Sequence, residues 1–211
     1  MNREQAAAIT EEIFAMYEKH GGAEYAGEKI SQLEHMVQSA QLAEEQGYDE
    51  EVVLAAFLHD IGHICESASE DGDTDPDEEK KTSFHGNMER FGILDHEEIG
   101  AGFLAQRGFS RRIVRLVESH VEAKRWLVLK EPGYYEHLSE ASKKTLEYQG
   151  GPMTEEEAAA FAQYPLFDLI VKMRKWDELA KIEHKPLPGL DHYRWMMLRH
   201  LETSDNLKQS T

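Results

Sequence analysis

The sequence predicts an all-α chain, on three observations. Apolar residues recur at helical spacing in almost every periodic stretch, no segment sustains the period-two alternation of a strand, and capping signals precede the apolar runs. The first helix covers 4–19, with Ile9, Ile13, Phe14 and Tyr17 on one face, and Gly21-Gly22 ends it. Ser31 and Glu34 form a capping box that opens a second helix running to about Gln46, with Leu33, Met36, Val37, Ala40 and Leu42 as its apolar positions. From Asp49 the run VVLAAFLHDIGH is apolar nearly all round, and it is expected to be one central, buried helix. An acidic stretch, about 66–95, reads as a solvated insertion. Its alternating Asp71, Asp73, Asp75 and Asp77 miss the Gly and Glu positions that a calcium loop requires. Helices are expected over 95–107, 110–128, 136–148, 154–163, 166–182 and 190–202. Thr154 and Glu157 form a second capping box, and the tail 203–211 is expected to fray. The expectation is a single domain over 1–211.

Composition narrows the function. The 211 residues carry a net charge of −18, which argues against nucleic acid and anionic lipid as partners. The apolar run Val52–Leu58 is far shorter than the ~20 residues a membrane span needs. The N-terminus lacks a signal-peptide apolar block, and the single Cys65 excludes an internal disulfide. A soluble, cytoplasmic protein is the expectation.

The pair His59-Asp60 ends the most apolar helix, where an unpaired carboxylate would cost several kcal/mol. A metal ion removes that cost for both side chains. Further candidates lie at suitable helical positions: His35 beside an apolar stripe, His96 at a helix start, His120 on the face of Ile113, Leu116 and Val117, and Asp177 on the face of Ile170 and Met173. His85 is the one serious rival to His96. Six nitrogen and oxygen donors suit iron, manganese or zinc. With Asp60 bridging, they fit two metals with positions left open for substrate. His63, Lys124 and Arg174 each fall one helical turn from one of these residues. Three potential cations in so acidic a chain predict a compact polyanion, best a phosphate or phosphonate.

His35…His59-Asp60…His96…His120…Asp177 resembles the signature of the binuclear HD-domain superfamily, which implies an HD-domain helical bundle. The strings YAGEKISQLEH, LHDIGH, HVEAKRW, LSEASKKTLEYQGGPM and RKWDE resemble its branch of mixed-valent di-iron oxygenases acting on 1-hydroxyphosphonates. That resemblance implies two iron ions, Fe(II)/Fe(III), with O2 as co-substrate. It implies cleavage of the carbon–phosphorus bond of 2-amino-1-hydroxyethylphosphonate or its N-trimethyl analogue, releasing phosphate and glycine or glycine betaine. It further implies that Tyr25 covers a metal until substrate displaces it and that Glu28 contacts the substrate. His63, Lys124, Ser142 and Arg174 would hold the phosphonate. The span from His63 to His96 is longer than in that branch, but His96 keeps its Glu97-Glu98-Ile99-Gly100-Ala101 context and is preferred over His85. The alternatives are a metal-dependent HD phosphohydrolase acting on a small phosphate ester or nucleotide, and a non-catalytic sensing module. The group on the substrate's second carbon stays open, with Trp126, Tyr134, Tyr135, Tyr148 and Trp176 available as a cation–π wall.

Overall fold

Both predicted capping boxes close. Ser31 Oγ accepts from the Glu34 N–H at 3.2 Å while Glu34 Oε2 accepts from the Ser31 N–H at 2.7 Å, and Thr154 and Glu157 repeat the exchange. The computed structural model describes residues 1–25, 27–70 and 94–208. The calcium-loop reading and His85 lie outside them. Twelve helices are described: α1 Arg3–His20, α2 Gln32–Glu45, α3 Glu50–Leu58, α4 Ile61–Glu70, α5 His96–Gln106 and α6 Arg111–Glu118 come first. They are followed by α7 His120–Lys130, α8 Tyr134–His137, α9 Glu140–Tyr148, α10 Glu155–Phe161, α11 Phe167–Leu179 and α12 Asp191–Lys208. No strand occurs among the described residues, and the fold is all-α. None of these helices is long and apolar enough to cross a membrane.

The core is built on α3, whose residues Val52 to Leu58 are all buried, with α2, α6, α11 and α12 packed around it. Phe57 stacks between Phe14 of α1 and Tyr193 of α12, with ring centroids 5.8 and 4.8 Å away. This packing fixes the C-terminal end of α3, and the site grows from that end.

The expected long helices are broken where the site needs them broken. The run from Asp49 divides at His59-Asp60 into α3 and α4, and the run from 110 divides at Ser119 into α6 and α7. At the first break His59 Nδ1 lies 2.8 Å from the Ala56 carbonyl oxygen, and at the second His120 Nδ1 lies 2.7 Å from that of Val117. Each ring satisfies a carbonyl that the helix end leaves open. In a continuous helix successive side chains point about 100° apart, yet His59 and Asp60 are both buried, with His59 Nε2 3.4 Å from Asp60 Oδ2. The stretch read as 136–148 is also two elements, with Ser139 capping α9 through the Ser142 N–H at 3.1 Å. At the ends, α4 continues to Glu70 inside the expected acidic loop. Helix α12 runs past 203, where Ser204 Oγ donates to the His200 and Leu201 carbonyls.

Candidate metal centre

Four imidazoles and two carboxylates meet in the interior, each at most 5% exposed. His35 and His59 face each other with Nε2 atoms 3.1 Å apart, and His96 and His120 do the same at 3.1 Å. Asp60 stands between the pairs. Its Oδ2 is 3.5 Å from His35 Nε2 and 3.4 Å from His59 Nε2, and its Oδ1 is 3.3 Å from His96 Nε2 and 3.4 Å from His120 Nε2. Asp177 Oδ1 joins the first pair, 3.4 Å from His35 Nε2. Two groups could therefore each hold a metal ion, His35–His59–Asp60 and Asp60–His96–His120, with one carboxylate oxygen directed at each.

The donor chemistry fits cations. His35 Nδ1 is 3.0 Å from the Ala180 carbonyl oxygen, and His59 and His120 have the equivalent contacts already given. A carbonyl only accepts, so Nδ1 carries the proton and Nε2 of a neutral ring presents a lone pair. In the His35–His59 pair the two Nε2 atoms face each other across 3.1 Å, a spacing that asks for a proton or a metal ion between them. Asp60 Oδ2 and Asp177 Oδ1 are buried without a hydrogen bond. The electrostatics agree. Burial opposes charge on both carboxyls, yet His59 beside Asp60 and Arg174 beside Asp177 hold them well below their usual range. Burial likewise opposes charge on His59, and Asp60 still lifts it to about 9. The two carboxylates thus hold a proton at His59, and a metal ion would take that proton's place.

The cage opens on a cleft lined by Tyr25, Glu28, His63, Lys124, Ser142 and Arg174, so every substrate residue expected from the sequence reaches it. The free space is about 40 Å³, room for a few water molecules. Tyr25 stacks on His35, with centroids 3.8 Å apart and planes 14° from parallel. Burial, then the Asp60 and Asp177 carboxylates, hold its phenol well above the ordinary value. Of the three expected cations, one needs correction. His63 stacks on His96 at 4.2 Å, and burial followed by the charge of His96 lowers it to about 3, so it is an uncharged ring. Lys124 donates to Thr145 Oγ1 at 2.8 Å, and burial and the nearby Arg174 lower its pKa well below the usual. Arg174 pairs with Asp177 and Glu178 and donates to the Tyr134 hydroxyl at 3.2 Å.

Residues 33–161 match the HD domain family. The chain is 38% identical, over 92% of its length and 91% of the relative's, to a [1-hydroxy-2-(trimethylamino)ethyl]phosphonate dioxygenase (glycine-betaine-forming) of Leisingera caerulea. It is 34% identical, over 94% of its length and 88% of the relative's, to a hydroxymethylphosphonate dioxygenase of Gimesia maris. An uncharacterized protein of Acanthamoeba polyphaga mimivirus is 41% identical over 97% of the chain and 87% of that relative.

The chain belongs to the HD domain family.

In this HD domain the sequence left three contributors unread. Lys181 lies 3.3 Å from Glu28 Oε1 and donates to Ser142 Oγ at 3.2 Å. Glu178, beside Asp177, accepts from Ser142 Oγ at 3.3 Å. Gly62 lets α5 approach α4, since a Cβ there would sit 1.9 Å from the His96 carbonyl oxygen. An acidic neighbour of a ligand candidate and a glycine inside LHDIGH were the available signals. The five aromatics considered as a cation–π wall do not line the cleft. Trp176 is buried against Tyr48, Trp126 packs on Phe167, Tyr135 and Tyr148 are exposed, and Tyr134 serves Arg174.

Proposed function

We propose that this HD domain is a di-iron oxygenase that uses O2 to cleave the carbon–phosphorus bond of a 1-hydroxyalkylphosphonate. The supporting observation is one arrangement: an Asp60-bridged double cage opening directly on a cleft with Lys124, Arg174 and Lys181. The two named relatives act on different phosphonates that share a carbon bearing both a hydroxyl and the phosphonate. That shared headgroup is what the cleft would take.

His35, His59, Asp60 and Asp177 would hold one iron, and Asp60, His96 and His120 the other. When bound, the pair would supply O2 activation and a chelation site for the substrate's hydroxyl. Arg174, Lys124 and Ser142 would grip the phosphonate by charge-assisted hydrogen bonds. Held at those remote oxygens, the substrate would present its C1–H toward the cage, which is how binding energy becomes orientation. His63, an uncharged ring, would contribute a hydrogen bond rather than a charge. Tyr25 would cover the cage face at His35 until substrate arrives, and Glu28 would contact the substrate. One substrate and one O2 yield one phosphate and one carboxylic acid, breaking the C–H and C–P bonds at carbon 1.

The test is oxygen uptake and phosphate release by the iron-loaded protein with three substrates: hydroxymethylphosphonate, 2-amino-1-hydroxyethylphosphonate and its N-trimethyl analogue. Stoichiometric uptake and release with at least one is expected. No oxygen consumption with any of them, together with anaerobic hydrolysis of a phosphate ester, would overturn the proposal in favour of a phosphohydrolase.

A further inference from the structure

Lys181 sits between two parts of the cleft. On one side is Glu28, whose Oε1 is 3.3 Å from Lys181 Nζ, and the Tyr25 ring, whose centroid is 5.9 Å from the same atom. On the other is the anion seat. There Nζ donates to Ser142 Oγ at 3.2 Å and lies 3.8 Å from Glu178 Oε2. Glu178 Oε1 in turn accepts from Ser142 Oγ at 3.3 Å and pairs with Arg174. Glu178 thus engages two of the groups proposed to grip the phosphonate, acting as a resident carboxylate where a substrate anion would sit.

We propose that Lys181 is a positioning residue that couples filling of the anion seat to the Tyr25–Glu28 segment. This rests on the phosphonate reading of the cleft. With the seat held by Glu178, Lys181 is shared with Glu28. That contact adds to the segment's own ties, among them Tyr25 N–H to the Ile30 carbonyl at 2.9 Å and Glu28 N–H to the Tyr25 carbonyl at 2.7 Å. An incoming phosphonate brings up to two negative charges to Ser142, Arg174 and Lys181. It competes with Glu28 for the ammonium and repels the Glu28 carboxylate across a short, poorly screened distance. Glu28 is released and the segment with it, so Tyr25 leaves His35 only when the seat is filled. The anion itself is the signal.

The experiment uses the metal-loaded protein with methylphosphonate, which carries the anion but lacks the 1-hydroxyl. Hydrogen exchange is followed by mass spectrometry in peptides spanning 24–30, and affinity by calorimetry. In the parent, methylphosphonate should accelerate exchange in this segment. In Lys181→Met the segment should exchange fast without the anion and respond no further, and affinity should fall about tenfold for the lost charge-assisted contact. Lys181→Arg should restore the response. Glu28→Gln should also free the segment at rest while leaving anion affinity at least at the parent level, which guards against Lys181→Met acting through misfolding. An anion response in Lys181→Met that matches the parent, even with weakened affinity, overturns the coupling. Failure of the parent to oxidise any 1-hydroxyphosphonate while still showing the exchange response would instead sink the oxygenase reading and leave the coupling standing.

Discussion

Gly62→Ala tests whether the second half of the cage depends on the contact between α4 and α5. An added Cβ would meet the His96 carbonyl oxygen at 1.9 Å, its carbon at 2.7 Å and its Cα at 3.0 Å, all backbone atoms that no rotamer change can move. Ordinary contact begins near 3.4 Å, so the start of α5 must retreat by about 1.5 Å to restore it. Overpacking of this kind costs ~1–3 kcal/mol, against a helix-propensity gain of at most ~1 kcal/mol for replacing glycine. The net loss should lower Tm by several degrees, at about 2–4 °C per kcal/mol for a chain of this size. The larger effect falls on metal. His96 Nε2 is now 3.3 Å from Asp60 Oδ1 and 3.1 Å from His120 Nε2, whereas metal–ligand distances tolerate only about 0.2 Å. Reconstitution with iron followed by elemental analysis should give about one iron per chain in place of two, the His35–His59 half being spared. Gly102→Ala is the control. It lies in α5 with nothing within 4 Å of its added Cβ, and should raise Tm slightly without touching metal content. A Gly62→Ala protein that keeps two irons and the parent Tm would refute the reasoning.

Three further outcomes follow from the geometry. Asp60→Ala should lose both metals, because one oxygen serves each histidine pair; elemental analysis showing an unchanged two-metal content would remove the bridging role. Tyr25→Phe should retain both irons and the stacking on His35 but lose the hydroxyl beside the cage, and its iron should autoxidise faster in air without substrate; an oxidation rate equal to the parent's would count against Tyr25 as a cover. His200 should make the protein acid-sensitive. Its Nε2 accepts from the Ser110 N–H at 3.2 Å, and burial lowers its pKa below 6.5 although Glu51 and Glu50 raise it. The unfolded chain therefore takes up a proton that the folded chain resists, so this contribution is full above about pH 6.5 and fades as pH falls toward the folded value. Urea unfolding at pH 7.5 and 5.5 should show a larger drop for the parent than for His200→Gln, and equal drops would dispose of the idea.

The residues that chemistry marks strongly were legible in the sequence, and those that only packing marks were not. His59-Asp60 at the end of an apolar helix already stated a problem of burial, and helical spacing carried Lys124 and Arg174 to the same cleft. The breaks at His59 and His120 were not legible. Propensity favours continuing both helices, and a single ring–carbonyl bond at each break, 2.8 and 2.7 Å, goes with the interruption. Charge state was equally hidden. His63 falls one turn from His59 like any potential cation, but stacking on His96 in a buried setting leaves it neutral. Lys181 falls inside the expected helix 166–182, but α11 ends at Leu179, and the chain beyond that end brings it to Glu28.

Charge of opposite sign is sorted over very short distances. The cage supplies carboxylates and lone pairs for cations, while Arg174, Lys124 and Lys181 line the adjoining cleft, in a chain of net charge −18. Asp177 belongs to both sides, since one oxygen faces His35 and the other pairs with Arg174. A cation taken up at Oδ1 withdraws charge from that carboxylate and so weakens its hold on Arg174. The guanidinium, with Glu178 as its remaining carboxylate partner, then presents more of its charge to the cleft. By the reciprocity of linkage, an anion held by Arg174 returns Asp177 to the cage. If a metal binds at Oδ1, this carboxylate should make the two halves cooperative: calorimetry should show methylphosphonate binding more tightly to metal-loaded than to metal-free protein, and equal affinities would count against the link.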